Sequence, residues 1–405
     1  MVRTEASTKG GQSRQAPVTS GKRPTIEMVA ARAGVSRQTV SNAANAPDRL
    51  RPETLNKVLD AIEEMGYRPS QAARSLRTDV THVIGCRLLP SNYGGTGGVL
   101  DRLFHALCDA ARSSGYDILT FSATTDDDEV AVYDDLLRRR AVDGFVLTNT
   151  HHVDARPGWL LAHRARFVAF GQPWGGKRSR HSWVDVDGAS GIAEAVHHLA
   201  RLGHSGIGFL GLAEVSGVGD DRYQGWEAAM RAMRLPMRGL VARAEDGIAS
   251  GQTLAEQLLD GPRAPTALVC VSDAMAVGAM RAVEDRGGRV GQDVSVVGFD
   301  DSPIASVIRP GLSSIRQPIE AVATELIAVL LAELSGAKHR PTRMLLAPRL
   351  VVRESSQARE TPRGLSAVRS GRAPGIASLL AEPQPELQRT SATPERHKER
   401  EEQRQ

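Results

Sequence analysis

The chain has 405 residues, 41% hydrophobic, 4% aromatic and 24% charged, a balance that suits a soluble globular protein of two or three domains. Its formal charge of +4 is unevenly spread: residues 1–80 carry 13 Lys and Arg against 8 Asp and Glu, and the remainder 38 against 39, so the positive excess lies at the amino-terminal end. Three widely spaced cysteines, Cys86, Cys108 and Cys270, exclude a disulfide framework or thiolate metal site and are expected as buried free thiols, and without an apolar run long enough for a membrane span or secretion signal a cytoplasmic protein is expected.

Residues 1–22 are rich in Ser, Thr, Gly and Gln, lack aromatic side chains and are expected to be a disordered basic arm. Arg3, Lys9, Arg14, Lys22 and Arg23 either touch a phosphate backbone or simply solvate the arm. Thr25 offers an oxygen to cap a helix in which Ile26, Val29, Ala30 and Ala33 share one face. Gly34 permits a tight turn, and Ser36 caps a second helix from Arg37 to about Ala44. The two helices are expected to pack through Val35, Val40 and the alanines. Arg37, Gln38, Ser41 and Asn42 then lie on the far side, with donors and acceptors suited to base edges and phosphates in a major groove. A third helix from Pro52 places Leu55, Val58, Leu59 and Ile62 at helical spacing and ends at Gly66.

Thr25-Ile26, Val29-Ala30, Ala33-Gly34-Val35-Ser36, Thr39-Val40-Ser41, Asn45, Pro52-Glu53-Thr54, Gly66-Tyr67-Arg68-Pro69 and Ala73-Arg74-Ser75-Leu76 together resemble the headpiece and hinge of the lactose-repressor (LacI) family of bacterial transcription regulators. Met28, Ala44 and Arg51 depart from that pattern, standing where the family usually has Asp, Leu and a small capping residue. The resemblance implies a helix-turn-helix domain over residues 23–68 and a hinge over 69–80 whose short helix-capable run, 71–76, folds on DNA. It also implies DNA contacts from Thr25, Ser36, Arg37, Gln38, Thr39, Ser41, Asn42, Tyr67, Arg74 and Leu76, the last as an apolar wedge in the minor groove.

From His82 onward apolar strands alternate with amphipathic helices, the pattern of a parallel sheet in an α/β fold. Strands are predicted at 83–89, 117–121, 144–148 and 167–170, with a helix bearing Leu100, Leu103, Phe104 and Leu107 that ends at Gly115. Residues 183–186 are read as opening a second series, followed by a helix at 188–201 and strands at 206–210, 267–271 and 294–299. Two Rossmann-like halves fit this count. Gly203-His204, Arg222, Asp273, Ala276, Gly278, the run 293–301, Pro310, Leu312 and Gln317-Pro318 extend the resemblance to the family's periplasmic-binding-protein-like core, over residues 81–356. By position, chain crossings between the halves are expected near 172–185, near 310–315 and near Thr342. A helix at 319–334 then returns to the first half, and 345–353 closes the second. Residues 357–405, without aromatic residues and of mixed charge, are expected to be a disordered tail.

Several constellations bear on chemistry. Gly206-Ile207-Gly208-Phe209-Leu210-Gly211 matches a dinucleotide fingerprint, but its glycines fall within a strand rather than opening a helix, so no cofactor is expected. The run 94–98 is either a ligand-facing amide loop or a flexible cleft loop. His151-His152 and His197-His198 lack a carboxylate or Cys to complete a ligand set, so no metal is expected, and Asp126-Asp127-Asp128 reads as a helix start. The sequence therefore predicts a non-enzymatic, homodimeric repressor bound to near-palindromic operator DNA and controlled by a small effector. The competing class is a sugar-binding or enzymatic α/β protein without DNA function. By resemblance the effector site comprises Arg222 and Asp300, with Ser272, Asp273 and Tyr93. A sugar or sugar derivative is the first choice and a nucleobase or small acid the second. The stretch 245–251 has no aromatic to stack on a sugar, leaving Tyr93 or Trp174 for that role, and Ser272 stands where the family often has an amide.

Overall fold

The computed structural model describes residues 24–68, 80–88, 97–174, 180–213, 216–336 and 340–356. The hinge run 71–76, with Arg74 and Leu76, and the loop bearing Tyr93 and 94–96 lie outside them, as do both terminal arms. None of the described helices is long and apolar enough to cross a membrane.

Three helices make the headpiece: α1 (Ile26–Ala33), α2 (Arg37–Asn45) and α3 (Pro52–Met65). Gly34 ends α1 in the left-handed conformation at φ 67°, which costs glycine nothing, and Gly66 ends α3 the same way. Ser36 caps α2 by accepting the Thr39 amide at 3.1 Å. Thr25 does not cap α1. Its side chain bonds Glu27 instead, and Met28 offers no reciprocal carboxylate. Val29, Ala30, Val40, Ala43, Val58 and Ala61 form the core. Leu59, expected inside, is exposed, and Ala61 takes the inner position, because the contact face of α3 is narrow and meets alanines.

The core has two six-stranded sheets. The first, in the order β11-β5-β4-β3-β1-β2, uses β1 (Val83–Arg87), β2 (Asp117–Phe121), β3 (Gly144–Leu147), β4 (Phe167–Phe170), β5 (Ser182–Val186) and β11 (Arg343–Leu346), all parallel. The second, in the order β12-β10-β9-β8-β6-β7, uses β6 (Ile207–Leu212), β7 (Val241–Ala244), β8 (Ala267–Cys270), β9 (Ser295–Asp300), β10 (Ser313–Arg316) and β12 (Arg349–Val351), with only the β10–β12 pair antiparallel. Helices α4 (Gly97–Ser113), α5 (Asp126–Arg138) and α6 (Arg156–Ala162) belong to the first lobe. Those of the second are α7 (Gly188–Arg201), α8 (Gly217–Ala232), α9 (Ile248–Leu259), α10 (Asp273–Glu284) and α11 (Pro303–Val307), and α12 (Ile319–Leu334) returns to the first.

This topology moves all three crossings. Strand β5 pairs with β4, Ala169 facing Trp183, so it ends the first series rather than opening the second. The chain therefore crosses after Val186, again between Arg316 and Ile319, and last between Leu346 and Arg349. Leu345, expected in the second lobe, sits in β11 of the first. The cysteines are free, Cys86 and Cys270 buried and Cys108 only half-buried. Burial pushes the Cys86 thiol up to about 12, so it is inert.

Candidate functional site

Two surfaces carry chemistry. On the headpiece, Arg37 and Gln38 are exposed at the start of α2, with Ser41 and Asn42 one turn on and half-covered. Gln38 donates to Asn42 Oδ1 at 2.9 Å, and Arg37 Nε lies 3.0 Å from Glu27 Oε1. Thr39 and Ser36 share a hydroxyl contact of 2.9 Å at the cap. Tyr67 packs on the headpiece core, where burial, with Glu27 adding to it, raises its phenol. These side chains present a polar row on one helix face. Arg74 and Leu76, expected to extend it, lie outside the described residues.

The second surface is a cleft between the lobes, of about 130 Å³. Val99 and Leu100 of α4, Phe170, Trp174, Val186 and Val218 supply its apolar wall; Asn149, Thr150, Asp185, Asp221, Arg222, Asp300 and Gln317 supply its polar one. It lies where parallel strands end, the ordinary ligand position in α/β sheets. Arg222 of α8 is buried with its guanidinium 3.7 Å above the Phe299 ring; Nη1 donates to Val271 O at 2.6 Å and Nη2 lies 3.9 Å from Asp300 Oδ1. Its Nε is buried without a hydrogen-bond partner. Asp300 ends β9 at φ 107°, unusual for a residue with a Cβ, and accepts from Gln317 Nε2 at 2.6 Å. Burial, only partly offset by Arg222, pushes its carboxyl up to about 8.

Asp185 and Asp221 are cleft residues that sequence reasoning missed. Asp185 accepts the Gln172 amide at 3.0 Å and the Val186 amide at 2.8 Å, yet burial still lifts it to about 6. Asp221 accepts the Ala189 amide at 3.0 Å, and burial raises it too. A lone acid in the apolar strand Trp183-Val184-Asp185-Val186 was the available signal. Ser272 and Asp273 lie outside the cleft lining. Ser272 caps α10 through Met275 and donates to Asp246 Oδ1 at 2.5 Å, while Asp273 accepts from Ser302 at 2.7 Å and from Ser314 at 2.5 Å.

Trp174 touches both lobes. Its indole Nε1 donates to Thr150 of the first, while its ring lies so close to Gly217 at the start of α8 that any Cβ there would collide with it. Across the same gap His152 Nε2 approaches Asp220 Oδ2 at 3.4 Å, and Arg102 Nη1 donates to Asp300 O at 3.5 Å. His151 does have acidic neighbours, contrary to the sequence expectation: Asp126 and Asp154 bring ligand-type atoms within 4.8 Å of its own and of each other. Arg156, fully buried, binds both Asp154 oxygens and stands 3.5 Å from Asp126 Oδ1, so a guanidinium already supplies the positive charge of that cluster.

The chain is similar to known proteins over both the headpiece and the core. Residues 25–70 match the family model for bacterial regulatory proteins of the lacI family, and residues 196–356 that for a periplasmic binding protein-like domain. The HTH-type transcriptional regulator CelR of Thermobifida fusca is 32% identical over 340 residues, covering 82% of this chain and 98% of that protein. A solved CelR–cellobiose complex is 29% identical, covers 82% of this chain and all of that one, and superposes with a TM-score of 0.63. A lac repressor dimer bound to operator and the anti-inducer ONPF is 26% identical, covers 83% and 100%, and gives 0.73.

Proposed function

The chain belongs to the lacI family of bacterial regulatory proteins, DNA-binding transcriptional regulators rather than enzymes, and from that premise we propose that it is a homodimeric repressor whose operator affinity is set by a sugar in the inter-lobe cleft. The headpiece match disfavours the alternative of a sugar-binding or enzymatic protein without DNA function. The observation that carries the effector reading is Arg222 beside Asp300 in the cleft wall, a fork of donors next to a carboxyl group that can grip vicinal hydroxyls together. Trp174 offers the apolar ring surface that 245–251 lacks. Arg37, Gln38 and Asn42 are assigned to base edges, Thr25, Ser36, Thr39, Ser41 and Tyr67 to their support and to phosphates, and Arg74 and Leu76 to the hinge. Ser272 and Asp273 are assigned behind the pocket, holding Asp246 and the turn after β9 in place. Likeness to CelR supports a sugar over a nucleobase or small acid.

Titration calorimetry with a panel of neutral mono- and disaccharides, paired with retention of genomic operator fragments, tests this. One sugar should bind and shift operator affinity, and Arg222→Ala or Asp300→Ala should weaken it by at least about tenfold, the 1.4 kcal/mol equivalent of one charged hydrogen bond. If both variants respond to that sugar as the wild type does, its pocket lies elsewhere.

A further inference from the structure

Resting on that sugar reading, we propose that the cleft selects by charge: it takes uncharged sugars and turns away phosphorylated or acidic ones. Asp185, Asp221 and Asp300 line the pocket, whereas Arg222 is the single Lys or Arg among the described residues lining it. That guanidinium donates to Val271 O, lies over the Phe299 ring and stands 3.9 Å from Asp300.

Several backbone amides around the cleft, groups of the kind that commonly hold phosphate, are taken as well. At the start of α7, Ala189 N–H donates to Asp221 and Ser190 N–H to Asp187. At the start of α8, Gly219 N–H donates to Ser216 Oγ at 3.1 Å, and beside the crossover Gln172 and Val186 donate to Asp185. The chain has thus placed its own carboxylates where a ligand anion would sit. The neighbouring cations are similarly committed: Arg102 to Glu320 at 3.2 Å, and Arg243 to Asp220 at 2.8 Å. A ligand anion in this partly desolvated cleft meets the ionised forms of Asp185 and Asp221 at short range, where screening is weak, while Asp300, its carboxyl lifted by burial to about 8, holds its proton at neutral pH and adds no repulsion. A hydroxyl meets no such cost, since it carries no charge and can donate to a carboxylate.

The test uses the full chain and, for each sugar that binds in the neutral panel, three relatives: its 6-phosphate, its uronate and the uronamide, a neutral match in size to the uronate. The uronate and phosphate should bind at least about tenfold more weakly than the parent, the uronamide should track the parent, and Asp221→Asn, shown folded by its thermal melt, should narrow the uronate gap. Equal or tighter wild-type binding of the phosphate or uronate overturns charge selection while leaving the sugar reading intact. So does a uronamide as weak as the uronate, which would make bulk the cause, or a gap that Asp221→Asn leaves unchanged. A panel in which no sugar binds overturns the sugar reading and this inference with it.

Discussion

Asp300 combines an unfavourable backbone angle with a buried carboxyl group. It sits at φ 107°, followed by Asp301 at φ 47°, so two side-chain-bearing residues in succession occupy a backbone region that favours glycine. Its carboxyl is pushed up to about 8, and those of Asp185 and Asp273 to about 6, burial being the largest cause in each case. In all three the folded protein holds a proton that the unfolded chain gives up near pH 4. Their stabilising contribution is therefore complete below that pH, drains away through about 6 for Asp185 and Asp273, and continues to fall through about 8 for Asp300. The melting temperature of the core should accordingly decline between pH 5 and pH 9, by about 2–4 °C for each kcal/mol lost. Asp300→Asn, which cannot ionise, should flatten the upper part of that decline. A calorimetric pH series in which wild type and variant run parallel from pH 6 to 9 would show that Asp300 ionises near the normal carboxylate range.

At the scale of the element, α2 is held ready rather than merely exposed. Ser36 fixes its first turn, Gln38 is braced on Asn42 one turn later, and Arg37 is drawn toward Glu27 of α1. An exposed ion pair is cheap to open, so Arg37 can exchange Glu27 for DNA at little cost. Replacing Arg37 or Gln38 with Ala should change which operator bases are preferred, each good base contact being worth about 1–3 kcal/mol. Selection of sites from a random DNA library reads this directly; variants that lose affinity for all sequences equally would mark these side chains as phosphate contacts. The headpiece was legible in sequence because its signals are local, from Ser36 and Gly34 at the turn to Gly66 at the end of α3. The core was legible only as far as locality reaches. Strand β5 was found but given to the wrong sheet, since its pairing with β4 is a contact that alternation in residues 182–186 does not encode. The strand Val241–Ala244 was missed because two alanines and an arginine carry little strand preference, and it forms on the ladder that β6 offers, Phe209 opposite Val241. The cleft was half legible for the same reason. Arg222 and Asp300 stood out by resemblance, whereas Asp185 and Asp221 gain meaning only when α7, α8 and the crossover meet.

For the whole molecule, affinity for an operator depends on having two headpieces at once. A dimer places two α2 helices on half-sites about 34 Å apart, and joining two weak contacts multiplies affinity by roughly 10²–10⁴. The second lobe also exposes large apolar side chains. Val307 at the end of α11 is 74% exposed and Ile304 38%, while Val352 just past β12 is 54% exposed. Val352 lines one shallow hollow with Ser306, the residue before Val307, and with Arg309, Arg353 and Glu354. Exposed aliphatics that gather are costly in water and mark partner surfaces, so we propose this face as the contact between two copies of the chain. Charge introduced at Val307 would have to be desolvated on association, so Val307→Asp should convert the proposed dimer to a monomer in light scattering. Operator affinity should then fall by about 10²–10⁴-fold, while each cleft, built within one chain, keeps its affinity for sugar. A Val307→Asp protein that remains dimeric and retains full operator affinity would place the dimer contact on another face of the core.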